Sequence, residues 1–400
     1  MKLAAAVAVA AAFVLPAAQA AERTAASPVL GIHYATPNVA QLAWVDPVTL
    51  TTLPPPALEL GRTWGSWSFS PDRSALAVGT AVWTGSQWRD FKLHFVSVGE
   101  MRVVAEVDVP GALASVTWLR PDRLLGIIRG NSPEVAVVDP SRSVVLRTVA
   151  LSRPVGQVER LPDGLAMLLT SGGSFAPAVL AVVDADGGLR TVTLDRISIG
   201  TRRTTDSGYV MMEERSPGLA IDRAHRRAFV VGADLTVAEV NLDTLRVKYH
   251  GGKARYLAKA NAGSTRQALW LGHDLLAVSG DDRTPSARHP VGLRLVDTRR
   301  WKTRIVDRWI DSIERVRGNT VFVASSYSAA SWRKDVYGLR GKRRYRIDVS
   351  GGWLDAMGPY AYVCEQGIVM RVISAETGRT LSVPRNPRRD CPYLLYGSAL

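Results

Sequence analysis

Tryptophan and tyrosine beside arginine give this sequence its clearest chemistry. Aromatic faces stack on sugar rings, apolar groups and cations, and a neighbouring guanidinium adds charge-assisted hydrogen bonds. Five polar stretches between apolar runs carry such groups. Trp83, Trp88, Arg89 and Asp90 fall in the first, and Arg202, Arg203, Asp206, Tyr209, Glu213 and Glu214 in the second. Arg255 and Tyr256, with Lys253 and Lys259, fall in the third. Asp281, Asp282, Arg283 and His289 fall in the fourth, and Tyr327, Trp332, Arg333 and Lys334 in the fifth. The pattern is that of a binding surface for a protein or carbohydrate.

Residues for catalysis are sparse. The six histidines are scattered, with no pair at metal-ligand spacing, and there is no Gly-x-Ser-x-Gly elbow, phosphate loop or dinucleotide fingerprint. Asp281-Asp282 offers oxygens of the kind Ca²⁺ takes, but that ion needs six to eight ligands, and no cofactor is expected. Asp184-Ala185-Asp186-Gly187-Gly188 begins like a calcium loop, lacks the downstream Glu, and reads as a hairpin turn. An enzyme of lactonase or lyase type would have to draw on Glu159, Asp281, Glu314 and Asp355 around a metal.

Charge and cysteine usage point to the compartment. Net charge is +14, from 50 basic and 36 acidic residues. Arg299-Arg300-Trp301-Lys302, Arg340 to Arg346 and Arg385 to Arg389 concentrate it in the last hundred residues, where an anionic polymer would be the counterpart. Cys364 and Cys391 suit a disulfide in an oxidising compartment; no second Cys or His pair lies at zinc spacing. Lys2, the apolar stretch Leu3 to Leu15 and Ala18-Gln19-Ala20 read as a cleavable export signal over residues 1–20, followed by an extension over 21–27. The stretch is shorter than the roughly 20 residues a membrane span needs. Secretion or a periplasmic location follows, which makes nucleic acid an unsuitable partner. No span and no oligomer are expected.

The elements that must position these residues are short strands. An alternating-hydrophobic unit of roughly forty residues recurs from near residue 28 to residue 383, with four strand signals per copy, within a single domain expected over 28–400. Pro71-Asp72, Pro121-Asp122 and Pro162-Asp163-Gly164 mark turns between first and second strands, and Asp46, Asp139, Asp184, Asn241 and Asp297 close third strands. First strands begin near Trp67, Val116, Val158, Leu219, Leu269, Ile313 and Leu354. Val29 to Leu53 reads as second, third and fourth strands without a first, and Pro392 to Tyr396 as a lone strand. Pairing the termini in one blade predicts a single-domain β-propeller of eight blades, or seven if one unit is irregular. Cys391 would then stand at the seam beside Cys364. The five polar stretches fall in second-to-third and fourth-to-first connections, which share one face of a propeller, and are expected as long loops.

PDRSALAVGT (71–80) and AIDRAHRRAFVVGADLTVAEVNLDTL (220–245) resemble repeats of the secreted bacterial YVTN and WD-repeat-like propellers, in which a pattern close to SPDG, LYVA and VxVIDLxTG recurs. The Trp-Asp dipeptide of true WD repeats is absent, and YVTN appears only as variants such as Ala228-Phe229-Val230-Val231. The resemblance implies binding and scaffolding roles, with a minority of lactonases, lyases and dehydrogenase subunits.

Overall fold

Middle strands of this chain are unbroken apolar runs, while outer strands alternate. Gly164–Leu169 is buried at every position, whereas Val144–Ala150 is exposed or half-buried throughout. A strand buried on both faces needs a sheet packed on each side, and stacked sheets provide that. The computed structural model describes residues 28–36, 39–63, 66–130, 132–206, 209–251, 263–284, 287–316, 321–328, 331–348, 352–365, 368–383 and 393–395. Every element among them is a strand.

The strands form antiparallel meanders. Six sheets are four-stranded and separate; a ten-stranded sheet holds two further meanders, over residues 155–199 and 263–307. Buried clusters join each meander to the next. Leu30, Leu42, Leu76 and Val78 unite the first with the second, and Ile127, Val137, Met167 and Ala181 unite the third with the 155–199 meander. Phe229, Val231, Leu276 and Val278 link the 218–250 meander to the 263–307 meander. Val45, Leu50, Tyr362, Cys364 and Val372 join the last to the first, where the Tyr362 hydroxyl donates to the Pro47 carbonyl at 2.9 Å. The series therefore closes on itself.

Chain ends complete the ring. Val29–Thr36, Val39–Val45 and Thr52–Gly61 form three strands of the first sheet, and Tyr393–Leu395 is the fourth, paired through Leu30 with Leu395 and Ile32 with Tyr393. This pairing covers the inner edge of that sheet, which would otherwise present unpaired N–H and C=O groups. Signal-like residues 1–20, the extension 21–27 and Cys391 lie outside the described residues.

Turn chemistry explains the regular repeat. At the end of third strands a carboxylate or amide oxygen accepts two backbone N–H bonds: Asp46 from Val48 and Thr49, both at 2.8 Å, and Asn241 from Asp243 at 3.0 Å and Thr244 at 2.8 Å. Asp184 accepts from Asp186 at 2.9 Å and Gly188 at 2.7 Å, so this calcium-loop-like run is a turn. Four residues after Asp46, Asp139, Asn241 and Asp297, the chain takes a positive φ at Leu50, Ser143, Leu245 and Trp301. The recurring Asp or Asn compensates that strain by satisfying the turn's donors.

Inner strands are also tied directly. Ser68 Oγ accepts from the Trp118 N–H at 2.9 Å; Gln157 accepts from Leu219 N–H at 2.9 Å and donates to Pro217 O at 2.7 Å; Gln267 accepts from Ile313 N–H at 2.6 Å. These bonds align the starts of consecutive first strands. Among the described residues, second-to-third and fourth-to-first connections thus lie at one end of the ring, and first-to-second and third-to-fourth turns at the other.

Candidate functional site

Extended polar stretches leave backbone donors and acceptors to satisfy, and this chain satisfies them by pairing. Four of the five stretches expected as loops are mainly strand. Val82 pairs with Arg89 and Trp83 with Trp88 in the second sheet's hairpin. Leu189–Asp206 runs beyond its meander and folds back as Tyr209–Ser216. Asp281–Arg283 pairs with Arg288–Pro290, and Tyr327 pairs with Trp332. The expectation of long loops is corrected accordingly: hairpins carry the residues. Arg255 and Tyr256 in the remaining stretch lie outside the described residues.

Two hairpins merge into a tier above the ring. Arg215 and Ser216 pair in parallel with Ser264 and Thr265, so the 189–216 excursion crosses to the 263–307 meander, passing over the sheet between them in sequence. Gly280 makes the junction possible. Its φ is +147°, and a Cβ there would lie 2.0 Å from the Thr265 carbonyl oxygen.

Arg266, 3% exposed, locks this junction. Its guanidinium donates to the carbonyls of Thr265 at 2.8 Å, Asp281 at 3.0 Å and Ala233, and to Asp282 Oδ1 at 2.7 Å. Asp281, 2% exposed, accepts from Thr265 Oγ1 and from Arg283 at 2.8 Å. Asp281 and Asp282 therefore serve as anchors inside the tier instead of facing a ligand. Arg202 pairs with buried Glu213 at 2.7 Å, and both Arg202 and Arg215 lie over the Phe175 ring.

The exposed part of this face is aromatic and basic. Trp83 and Trp88 contact each other at 4.9 Å between centroids, and Arg62 lies 5.2 Å from the Trp88 ring. Arg89 and Arg203 are exposed. Tyr209, Tyr327 and Trp332 belong to strands of this face, but their side chains lie outside the described residues.

Sequence reasoning missed Trp309 and Met212, which are 66% and 68% exposed. Trp309 occupies a short fourth-to-first connection, pinned by its N–H to Asp307 at 2.9 Å. Its signal was a tryptophan in a polar turn, Asp307-Arg308-Trp309, outside the long stretches on which attention fell.

Beneath the fifth hairpin lies a buried charged group. Asp335, wholly buried, accepts a hydrogen bond from Arg346 Nε at 2.8 Å and forms an ion pair with Arg333, whose Nε lies 2.8 Å away. Burial, with Asp335 nearby, pushes the Tyr337 phenol up to about 12. Lys334 donates to Ser325 Oγ at 2.6 Å, and burial lowers its pKa against the pull of Glu314 and Asp311. Arg333 and Lys334 are structural here.

The carboxylates that a metal enzyme would need are dispersed or engaged. Glu159 is 4.0 Å from Arg223, Asp281 is an anchor, Glu314 is exposed, and the Asp355 side chain lies outside the described residues. Among the described residues, no group of three or more His, Cys, Asp or Glu side chains is placed to hold a metal ion. No helix there is long and apolar enough to cross a membrane. Cys364 is wholly buried and disulfide-bonded.

His94 gives the ring a pH dependence. Its Nε2 lies 2.8 Å from Thr80 Oγ1 and its Nδ1 3.2 Å from Glu106. Burial holds its pKa below 6.5, against the pull of Glu106. The unfolded chain thus binds this proton more readily than the folded one. The stabilisation is complete above that value and is lost as pH falls from it towards the folded pKa. His94→Gln is expected to flatten that decline, read as a smaller drop in urea midpoint between about pH 7.5 and 5.5 than in the unaltered protein.

Radially packed four-stranded meanders, closed by both termini, define an all-β propeller. Solved structures share this fold. Dihydro-heme d1 dehydrogenase NirN in complex with DHE superposes with a TM-score of 0.56 at 11% identity, covering 93% of this chain and 76% of that one. The computationally designed Ika8 protein gives 0.50 at 9% identity, covering 89% and 96%. BamB from Moraxella catarrhalis gives 0.49 at 11%, covering 86% and 91%. At such identities the likeness concerns fold alone. No protein-family model matches the sequence, and no curated protein matches it.

Proposed function

We propose that this protein is an exported propeller of eight blades that binds a protein or glycan through its hairpin-bearing face. Counting the two meanders of the ten-stranded sheet separately gives the eight blades. The observation carrying the reading is the Trp83–Trp88 pair, capped by Arg62, on a hairpin that projects past the second sheet. Large aromatics held at the surface lose free energy to water unless a partner covers them, and with Arg they dominate binding hot spots. Trp309 and Met212 extend the apolar part, and Arg89, Arg202 and Arg203 supply charge.

Export rests on the apolar segment Leu3 to Leu15 and the oxidised state of Cys364, for which Cys391 is the second cysteine of the chain. The repeats resemble those of the secreted YVTN-type propellers, which supports this reading. Arg299, Arg300, Arg340 and Lys342 stand on third-to-fourth turns, at the end of the ring away from the hairpins, where an anionic polymer would be held.

The test is a triple variant, Trp83→Ala with Trp88→Ala and Trp309→Ala. Immobilised protein is exposed to an envelope extract and to a glycan array, and the retained partner is purified and titrated. Loss of three aromatic contacts is expected to weaken it by about a hundredfold or more, with the melting temperature unchanged. Equal affinity in the variant would refute this face.

A further inference from the structure

Three first strands bring arginine to the opposite mouth of the axial channel. Arg160 ends one strand beside Leu161, Arg223 follows Asp222 at the end of another, and Arg315 ends a third. Arg160 and Arg223 come from adjacent meanders, and Arg315 from the meander beyond 263–307, whose first strand lies between. Arg223 Nε donates to the Arg160 carbonyl at 2.9 Å. A cavity of about 320 Å³ opens beside Arg223 and Arg315, lined by these two and Glu159 on its polar side and by Ala220, Ala268 and Trp270 on the other.

These cations are poorly compensated. Asp222, wholly buried at the same wall, is held by Arg227 at 2.7 Å and His225 at 2.8 Å. Among the described residues, Glu159 faces the group, 4.0 Å from Arg223. The Arg315 side chain makes no hydrogen bond or ion pair among the described residues, and Arg160 Nε is buried without a hydrogen-bond partner. Burial lowers the pKa of Arg160 and Arg315, and the charge of Arg223 lowers both further. Like charges held together in a recess have their repulsion relieved by an anion, and guanidinium forks match phosphate oxygens.

We propose that this mouth binds an organic phosphomonoester, with the phosphate between Arg223 and Arg315 and the organic body against Ala220, Ala268 and Trp270. Two guanidiniums against one carboxylate leave a net positive charge in the recess, and the charge of nearby Arg160 adds to it, so a phosphomonoester anion relieves the repulsion. Inorganic phosphate satisfies the charge and leaves the apolar wall empty. Trp270 is fixed for stacking by its own contact with Phe229, 5.2 Å away and nearly parallel. The site lies across the ring from the hairpin face and is independent of it.

Isothermal titration with phenyl phosphate and with inorganic phosphate, in low salt near neutral pH, tests the assignment. Phenyl phosphate is expected to bind the tighter of the two, and added salt to weaken both. Arg223→Gln and Arg315→Gln should each weaken phenyl phosphate about tenfold or more, while Glu159→Gln tightens it. Both arginines have solvent-facing side chains, and unchanged melting curves will confirm that the variants fold. Equal affinity for the two probes, or affinities indifferent to all three substitutions, would overturn the site. The triple tryptophan variant should bind phenyl phosphate normally, so failure of one proposal leaves the other standing.

Discussion

Removing residues 391–400 is expected to destabilise the whole ring, more than any single substitution away from the seam. The deletion takes out Tyr393–Leu395, which supplies the first sheet's fourth strand through ladder partners at Leu30, Gly31 and Ile32. It also removes Cys391, and with it the cross-link proposed for Cys364. For a loop of this length, chain entropy alone assigns the cross-link about 3–4 kcal/mol. The exposed edge of Val29–Thr36 would then template pairing between molecules. Urea unfolding should show a lower midpoint, and light scattering should show association at concentrations where the intact protein is monodisperse. Replacing both cysteines by Ser keeps the strand and loses only the cross-link, so its effect should be smaller. A truncated protein as stable as the intact one would mean the seam is dispensable.

Arg266→Met is the second large effect. Burial of this side chain is tolerable because its donors reach three carbonyls and Asp282. Methionine fills similar volume and satisfies none of them, and it leaves the Asp282 carboxylate, 14% exposed, without its cation. Breaking a buried pair in this way costs about 3–5 kcal/mol. The loss should be local in character: hydrogen exchange should accelerate first in Gly263–Gly272, Leu275–Arg283 and Tyr209–Ser216, while strands near Trp118 keep their protection. Uniform acceleration would show that the tier and ring unfold as one.

Much of the ring was legible because the same physics repeats. Strand starts read at Trp67, Val116, Val158, Leu219, Leu269, Ile313 and Leu354 all fall inside observed first strands. The Asp and Asn residues at third-strand ends were readable since a turn with a positive-φ residue needs its N–H groups satisfied nearby. The pairing of Val29–Thr36 with Tyr393–Leu395 followed from an incomplete unit at each end.

The hairpin tier was not legible. Stretches such as Arg202 to Asp206 are polar at every position, so alternation of hydrophobicity, the signal for a strand, is missing where a strand has no core to face. Asp281 and Asp282 looked like free loop carboxylates for the same reason; only the fold brings Arg266 and Arg283 to them. The arginine group at the far mouth was invisible because Arg160, Arg223 and Arg315 are far apart in sequence and meet through ring geometry alone.

The crossing of Leu189–Asp206 and Tyr209–Ser216 onto Gly263–Gly272 changes how such a ring should lose order. In an ordinary circular array each module answers only to its two flanks, and opening can begin at any joint. Here a brace clamps three successive modules, so fraying within that arc requires all of them to let go together, and the first breach is displaced to the arc that has no brace.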